Sequence, residues 1–176
     1  MTFIKEKLNC IKAFIFDIDG VLSLDTTPLS EEGDPVRTAN VKDGYAIRNA
    51  LNMGYHLGII TGGTIERIRL RYEKLGIPLI YMGVRDKVIC LNDFIQKTGV
   101  GADEILYMGD DLVDYQIMSM VGMPVCPSDA VSEIKEISLY ISDRKGGEGC
   151  ARDVIEQVMR VQGTWINEKS YYWRSI

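Results

Sequence analysis

Short, wholly apolar runs alternate with amphipathic stretches along most of the chain, and that alternation limits the fold more than any other feature. Ala13–Phe16 (AFIF), Leu57–Ile60 (LGII), Leu79–Met82 (LIYM), Ile105–Met108 (ILYM), Pro124–Cys126 and Leu139–Ile141 read as strands. A strand with one wet face alternates apolar and polar residues. These do not, so both faces are covered, which suits a parallel sheet between helical layers. Helical patterns fall between them, at about Gly44–Met53, Thr64–Leu75, Lys87–Thr98, Leu112–Val121, Val131–Glu136 and Glu148–Val161. In TIERIRLRYEKLG, the residues Ile65, Ile68, Tyr72 and Leu75 keep helical spacing, and Gly76 supplies a stop. The expected fold is α/β, with a doubly wound, mainly parallel, Rossmann-like sheet.

One segment breaks the rhythm. Val21 to Gly44 has two extended stretches around the turn-rich SEEGDP, and a β-hairpin projecting beyond the sheet is the simplest account. The expected organisation is one core over residues 1–163, with a hairpin flap at about 21–43, and an aromatic-rich tail over 164–176. A length of 176 residues leaves little room for a second core. A formal net charge of −5 argues against a nucleic-acid footprint, which needs a basic stripe. No run of eighteen apolar residues occurs, and the opening MTFIKEKLNCIK lacks the apolar centre of a secretory signal. Cys10, Cys90, Cys126 and Cys150 are widely spaced, which reads as isolated thiols of a cytoplasmic protein rather than disulfides or a zinc site.

In open α/β sheets, ligands bind beyond the carboxyl ends of the strands. Four such ends carry polar residues here. The first gives Asp17 and Asp19, followed by Gly20; the second gives Thr61, Gly62 and Gly63. After the third, MGVRDKV places Lys87 at a helix start; the fourth, LYMGDDLVDY, gives Asp110, Asp111 and Asp114. Any one of these alone reads more readily as a helix N-cap; their convergence on one rim does not. Two carboxylates about 4 Å apart at an effective dielectric near 20 repel by roughly 4 kcal/mol, so something cationic, or a shared proton, must complete the site. Asp17, Asp110 and Asp114 offer oxygen ligands suited to a hard octahedral ion, Mg²⁺ rather than zinc. The single histidine, His56, lies at the start of a strand, away from the lip, and reads as structural. Thr61, the Gly62–Gly63 amides and Lys87 offer donors to phosphoryl oxygens. The arrangement suits phosphoryl transfer with Asp17 as nucleophile and Asp19 as the acid and then the base.

DIDGV, ITG, Lys87 and GDDLVD, in this order, resemble the four signature motifs of the haloacid dehalogenase-like phosphohydrolases over residues 12 to 155. The resemblance implies that the Asp17 side chain, the Asp19 carbonyl and Asp110 hold Mg²⁺. It also implies that Asp111 and Asp114 hold metal-bound water or the lysine. Family members with a cap domain insert it after the first or second motif. Here 41 residues separate Asp19 from Thr61 and 25 separate Thr61 from Lys87, which leaves room for the flap alone. Capless members that act on small metabolites borrow a lid by oligomerising, so the resemblance implies a homotetramer whose flaps and tails cover neighbouring sites.

The flap after DIDGV, the GVRDK around Lys87 and RKGGEGCARDVIE near the end are similar to the 3-deoxy-D-manno-octulosonate 8-phosphate (KDO 8-phosphate) phosphatases of lipopolysaccharide precursor synthesis. Relatives act on nine-carbon ulosonate 9-phosphates, which remain the alternative substrates; those carry an acid where this chain has Gly63. Two patterns depart from the family. The usual GG-x-G-x-x-R-E is shortened to Gly146, Gly147, Glu148, Gly149, Arg152 and Asp153, and V-x-T-D-G is replaced by Val21 to Asp25. A sugar-acid substrate calls for basic residues beyond the phosphate clamp, and Arg67, Arg71 and Arg85 are the candidates; Arg67 and Arg71 also read as a solvated helix face. Arg144 and Lys145 are candidates for reaching a neighbour's site. A receiver-type signalling domain, with its own phospho-accepting Asp, Thr and Lys, is the alternative from a different class.

Overall fold

The computed structural model describes residues 2–171. Six strands form one sheet: β1 (Ala13–Phe16), β2 (His56–Ile60), β3 (Leu79–Tyr81), β4 (Ile105–Met108), β5 (Met123–Cys126) and β6 (Tyr140–Ile141). Their order is β3-β2-β1-β4-β5-β6, and every pairing is parallel. The helices are α1 (Thr2–Cys10), α2 (Val41–Asn52), α3 (Glu66–Leu75), α4 (Lys87–Thr98), α5 (Tyr115–Met118), α6 (Ser132–Ile137) and α7 (Cys150–Val161). The chain reverses direction along the sheet at β1, so a crevice opens between the ends of β1 and β4, where open α/β sheets bind ligands. A receiver domain orders its strands 2-1-3-4-5, and this sheet does not.

Alternate residues of the central strands enter two separate cores. Phe14, Phe16, Leu57, Ile59, Leu106 and Met108 pack beneath α1, α2, α3 and α7. Ala13, Ile15, Ile60, Ile105 and Tyr107 pack against α4, α5 and α6 on the other face. Both faces are covered, which accounts for the unbroken apolar runs. Gly58 interrupts β2 because a Cβ there would stand 2.8 Å from the Phe94 ring of α4.

Several elements differ from the sequence expectation. Thr2–Cys10 is a helix that its charge alternation concealed. α2 begins at Val41 rather than near Gly44, because Asn40 caps it by accepting the Lys42 and Asp43 amides. The single helix expected over Leu112–Val121 is a 3-10 turn at Leu112–Asp114 followed by the four-residue α5. The flap is less regular than a hairpin: one antiparallel bridge, Leu29 to Pro35, joins its arms around a turn closed from Ser30 N–H to the Asp34 carbonyl. Its base is tied by Thr38, whose amide donates to Ser23 Oγ and whose hydroxyl accepts the Leu24 amide.

Gly146 and Gly147 explain themselves by packing. A Cβ on Gly146 would fall on the Gly20 carbonyl, and one on Gly147 would meet the backbone of Ser23 and Leu24. Gly147 N–H donates to the Val21 carbonyl at 2.8 Å. The segment before α7 therefore braces the loop that leaves β1. Of the aromatic tail, Trp165 docks on the chain's own α2, edge-on to Tyr45, with its carbonyl accepting from Asn49. Tyr172 and Trp173 lie outside the described residues.

Asp43 joins α2 to α7. It is 2% exposed; Oδ1 accepts the Arg152 amide in the first turn of α7, and Oδ2 has no hydrogen-bond partner. Burial raises its carboxyl to about 6, partly offset by that amide and by the Arg152 charge. The folded chain thus holds a proton on Asp43 that the unfolded chain releases near 3.8. Stability drops as pH rises between these values, by about 3 kcal/mol from this group. In Asp43→Asn that loss should vanish. Denaturant unfolding at pH 4 and pH 7 should show the mutant-minus-wild-type difference moving in the mutant's favour as pH rises.

Candidate active site

The crevice is a cleft of about 840 Å³ at the carboxyl edge of the sheet. Asp17 follows β1 directly and is 6% exposed. Its Oδ1 accepts the Ile18 amide at 2.6 Å, and its Oδ2 lies 2.7 Å from Lys87 Nζ. Lys87 is the first residue of α4, after the N-cap Asp86. A cation at a helix N-terminus opposes the macrodipole; two acids compensate. Nζ also meets Asp114 Oδ1 at 2.7 Å, and Tyr107 donates its hydroxyl to the same oxygen at 2.6 Å. Burial lowers the affinity of Lys87 for its proton, but Asp17 and Asp114 together outweigh burial and raise it. The lysine stays charged, and its third donor makes only a long 3.4 Å contact with the Tyr107 hydroxyl, which a nearer acceptor can replace.

Asp114 is wholly buried beneath the cleft, where its Oδ2 accepts the Asp110 amide at 3.1 Å. That inward pull, with the Asp114 amide donating to the Asp111 carbonyl, tightens the chain into the 3-10 turn. Asp110 stands between β1 and β4. Gly20 has φ +72°, and a Cβ there would fall on Asp110 Oδ2, so only glycine lets the loops after β1 and β4 approach this closely.

The donor set fits Mg²⁺. One oxygen from each of Asp17, Asp110 and Asp114 lies within 4.8 Å of the others. Three carboxylates against Lys87 leave an excess of two negative charges, which a divalent ion balances. Burial first, then Asp114, Asp17 and Asp111, push the Asp110 carboxyl to about 8, since Lys87 only partly opposes them. In metal-free protein the proton on Asp110 is therefore lost at a cost to the fold as pH rises through about 8. Asp110→Asn is expected to melt above wild type in chelator at pH 8.5. Saturating Mg²⁺ should raise the wild-type melting temperature by roughly 5–10 °C, as for a ligand at about 100 times its Kd. The variant should gain far less; an equal gain would move the metal elsewhere.

Opposite these acids, Thr61 directly follows β2, 2% exposed, with Oγ1 accepting the Gly63 amide at 3.1 Å and its own O–H available to the cleft. Asp19, Gly62, Gly63, Arg85 and Asp111 also line the cleft. Arg67 and Arg71 do not, and Arg71 turns inward over Gly44 of α2. His56 is exposed at the opposite, amino-terminal edge of the sheet. Two residues escaped the sequence reading. Tyr107 sits mid-strand and looks like core. Arg37, from the flap, donates Nε to Asp19 Oδ1 and Nη2 to Asp19 Oδ2, both at 2.9 Å. An arginine within a predicted flap, in a chain with an acid at the rim, was the available signal.

A parallel sheet carrying an acidic, lysine-pinned rim beside a threonine and glycine turn defines a Mg²⁺-dependent phosphohydrolase. The profile of haloacid dehalogenase-like hydrolases matches residues 80–153. The 3-deoxy-D-manno-octulosonate 8-phosphate phosphatase KdsC of Salmonella typhi is 33% identical over 162 residues, 92% of this chain and 86% of that protein. Among solved structures, the 3-deoxy-D-manno-octulosonate 8-phosphate phosphatase of Yersinia pestis superposes with a TM-score of 0.88 at 29% identity, covering 92% of this chain and 87% of that one. The Moraxella catarrhalis enzyme, in complex with magnesium, phosphate and KDO, gives 0.87 at 31% identity, covering 93% and 94%. The chain belongs to the KdsC-like family of haloacid dehalogenase-like phosphatases. It is a phosphoric monoester hydrolase, and its cofactor is Mg²⁺.

Proposed function

We propose that the chain hydrolyses 3-deoxy-D-manno-octulosonate 8-phosphate to KDO and phosphate through a phosphorylated Asp17. The observation that carries this reading is the buried Asp17–Lys87–Asp114 arrangement facing Thr61 across the cleft of a chain 31% identical to an enzyme with magnesium, phosphate and KDO bound. Asp17, Asp110 and the Asp19 carbonyl would hold Mg²⁺, with Asp111 and Asp114 behind them. The ion supplies charge neutralisation that lets a carboxylate approach a phosphoryl group.

The steps then belong to the side chains. Lys87, the Thr61 hydroxyl and the Gly62 amide hold phosphoryl oxygens in place. An Asp17 carboxylate oxygen attacks phosphorus, the ester P–O bond breaks, and the departing alkoxide takes a proton from Asp19. Asp19, now a carboxylate, takes a proton from water as that water attacks the phosphorus of the aspartyl-phosphate. Asp17 leaves as a carboxylate and Asp19 is protonated again.

The same reading gives the cleft a lid from neighbouring subunits. Leu112 and Val113 at the cleft rim and Leu29 on the flap are more than half exposed, as suits surfaces covered in a homotetramer. Among the described residues no helix is long and apolar enough to cross a membrane. All four cysteines are unpaired, which agrees with a cytoplasmic setting. Phosphate release with Mg²⁺ should favour eight-carbon ulosonate phosphates over nine-carbon ones, hexose phosphates and nucleotides. A preference for hexose phosphates or nucleotides would discard the substrate and keep the chemistry. Sedimentation should give four chains per particle.

A further inference from the structure

The flap reaches the reacting groups through one side chain. Arg37 is 11% exposed although it hangs at the mouth of a polar cleft, whereas its partner Asp19 is 46% exposed. The guanidinium meets both Asp19 oxygens at 2.9 Å, and Nη1 donates to the Pro35 carbonyl at 3.2 Å. Two parallel N–H to oxygen bonds are the geometry in which arginine recognises a carboxylate. Gly63 makes room for it: a Cβ at that position would stand 3.2 Å from Arg37 Nη2. The anchoring of Thr38 to Ser23 and Leu24 fixes the flap immediately beyond Arg37, so the backbone that carries the guanidinium is held in place.

Among the described residues three cations line the cleft, and they differ in what they can bind. Lys87 is committed to Asp17 and Asp114 deep in the cleft, while Arg85 is exposed at its lip. Arg37 holds its fork over the reacting groups, and a carboxylate already fills it. An acid that must exchange protons with a leaving oxygen cannot do so while both its oxygens face the flap. A substrate that supplies a carboxylate of its own would free it.

We propose that Arg37 is the receptor for the substrate's carboxylate, and that this carboxylate displaces Asp19 from the guanidinium fork. The inference rests on the ulosonate reading above. With the phosphate held at Lys87 and Thr61, the far end of a sugar acid points to the mouth of the cleft. Arg37 stands on a flexible stem rooted in the flap, so rotation about that stem carries the fork outward to meet it. Binding the correct substrate would then both fasten the flap and release Asp19, making Arg37 a selector for acidic over neutral sugar phosphates.

The test compares an eight-carbon ulosonate phosphate with a hexose 6-phosphate, using the full-length chain with Mg²⁺, for wild type, Arg37→Ala and Arg37→Lys. The loss of one bidentate charged contact predicts a KM increase of about 30-fold for the ulosonate ester in Arg37→Ala. That rise should exceed the change for the neutral ester at least tenfold. Arg37→Lys, a point charge without a fork, should recover part of it. Should the alanine variant fail to fold, Arg37→Gln keeps the stem and polarity without the charge and is read the same way. Equal changes for both esters, or a fall in kcat alone, would overturn the assignment and leave the substrate standing. A wild-type enzyme with no preference for the acidic ester would overturn the substrate reading, and Arg37's role with it.

Discussion

Asp17→Asn is expected to lower kcat for phosphate release by about 10⁴-fold or more, the scale on which removal of a covalent nucleophile acts. The amide is nearly isosteric but does not attack phosphorus. The fold should survive the change for identifiable reasons. The amide oxygen can still accept the Ile18 amide, and Lys87 keeps Asp114 at 2.7 Å. Burial already pushes the Asp17 carboxyl up to about 6, with Lys87 opposing it, so replacing the charge also relieves repulsion from Asp114. The variant should therefore melt within a few degrees of wild type, and acid-quenched wild type given labelled substrate should carry label that the variant lacks. Residual turnover above about 1% of wild type, with contaminating phosphatase excluded, would end the covalent route. A collapsed melting transition would instead assign Asp17 to holding Lys87.

The parallel sheet was legible because burial on two faces leaves a compositional trace: AFIF and ILYM have no charged residue and no polar alternation, and both are fully buried strands. The rim was legible because strand ends impose spacing, so Asp17, Thr61, Lys87 and Asp110 meet although they are distant in sequence. What escaped depends on partners that are not local. The α1 helix shows mixed charge because only a thin stripe, with Leu8 and Ile4, touches the core. The break between Leu112–Asp114 and α5 arises from Asp114 turning inward to Lys87, 27 positions away. Arg67 and Arg71 share a helix with the right neighbourhood, yet neither lines the cleft, and side-chain direction takes Arg71 inward over Gly44 instead. Arg37 was hard to place for the opposite reason: a turn-rich flap gives no periodicity from which to infer where its side chains point.

Asp19→Asn should separate the two halves of the reaction. An alkyl phosphate needs a proton on its leaving oxygen, so turnover of a sugar phosphate should fall by about 10²- to 10⁴-fold, the range for general acid–base catalysis. An aryl phosphate expels a stable phenolate without help, and its first step should proceed at a rate near that of wild type. The second step still requires a base for water. The variant given aryl phosphate should accordingly release one phenolate per site in a burst, then slow, while phosphate accumulates on Asp17. The introduced amide also offers Arg37 one acceptor where the Asp19 carboxylate offers two, and its hydrogens face the guanidinium's own. The fork is thereby freed, so KM for an ulosonate ester should fall below wild type even as kcat drops. Full steady-state turnover on both esters would remove Asp19 from proton transfer. A burst with an unchanged KM would keep Asp19 as acid and base while cutting its link to the flap.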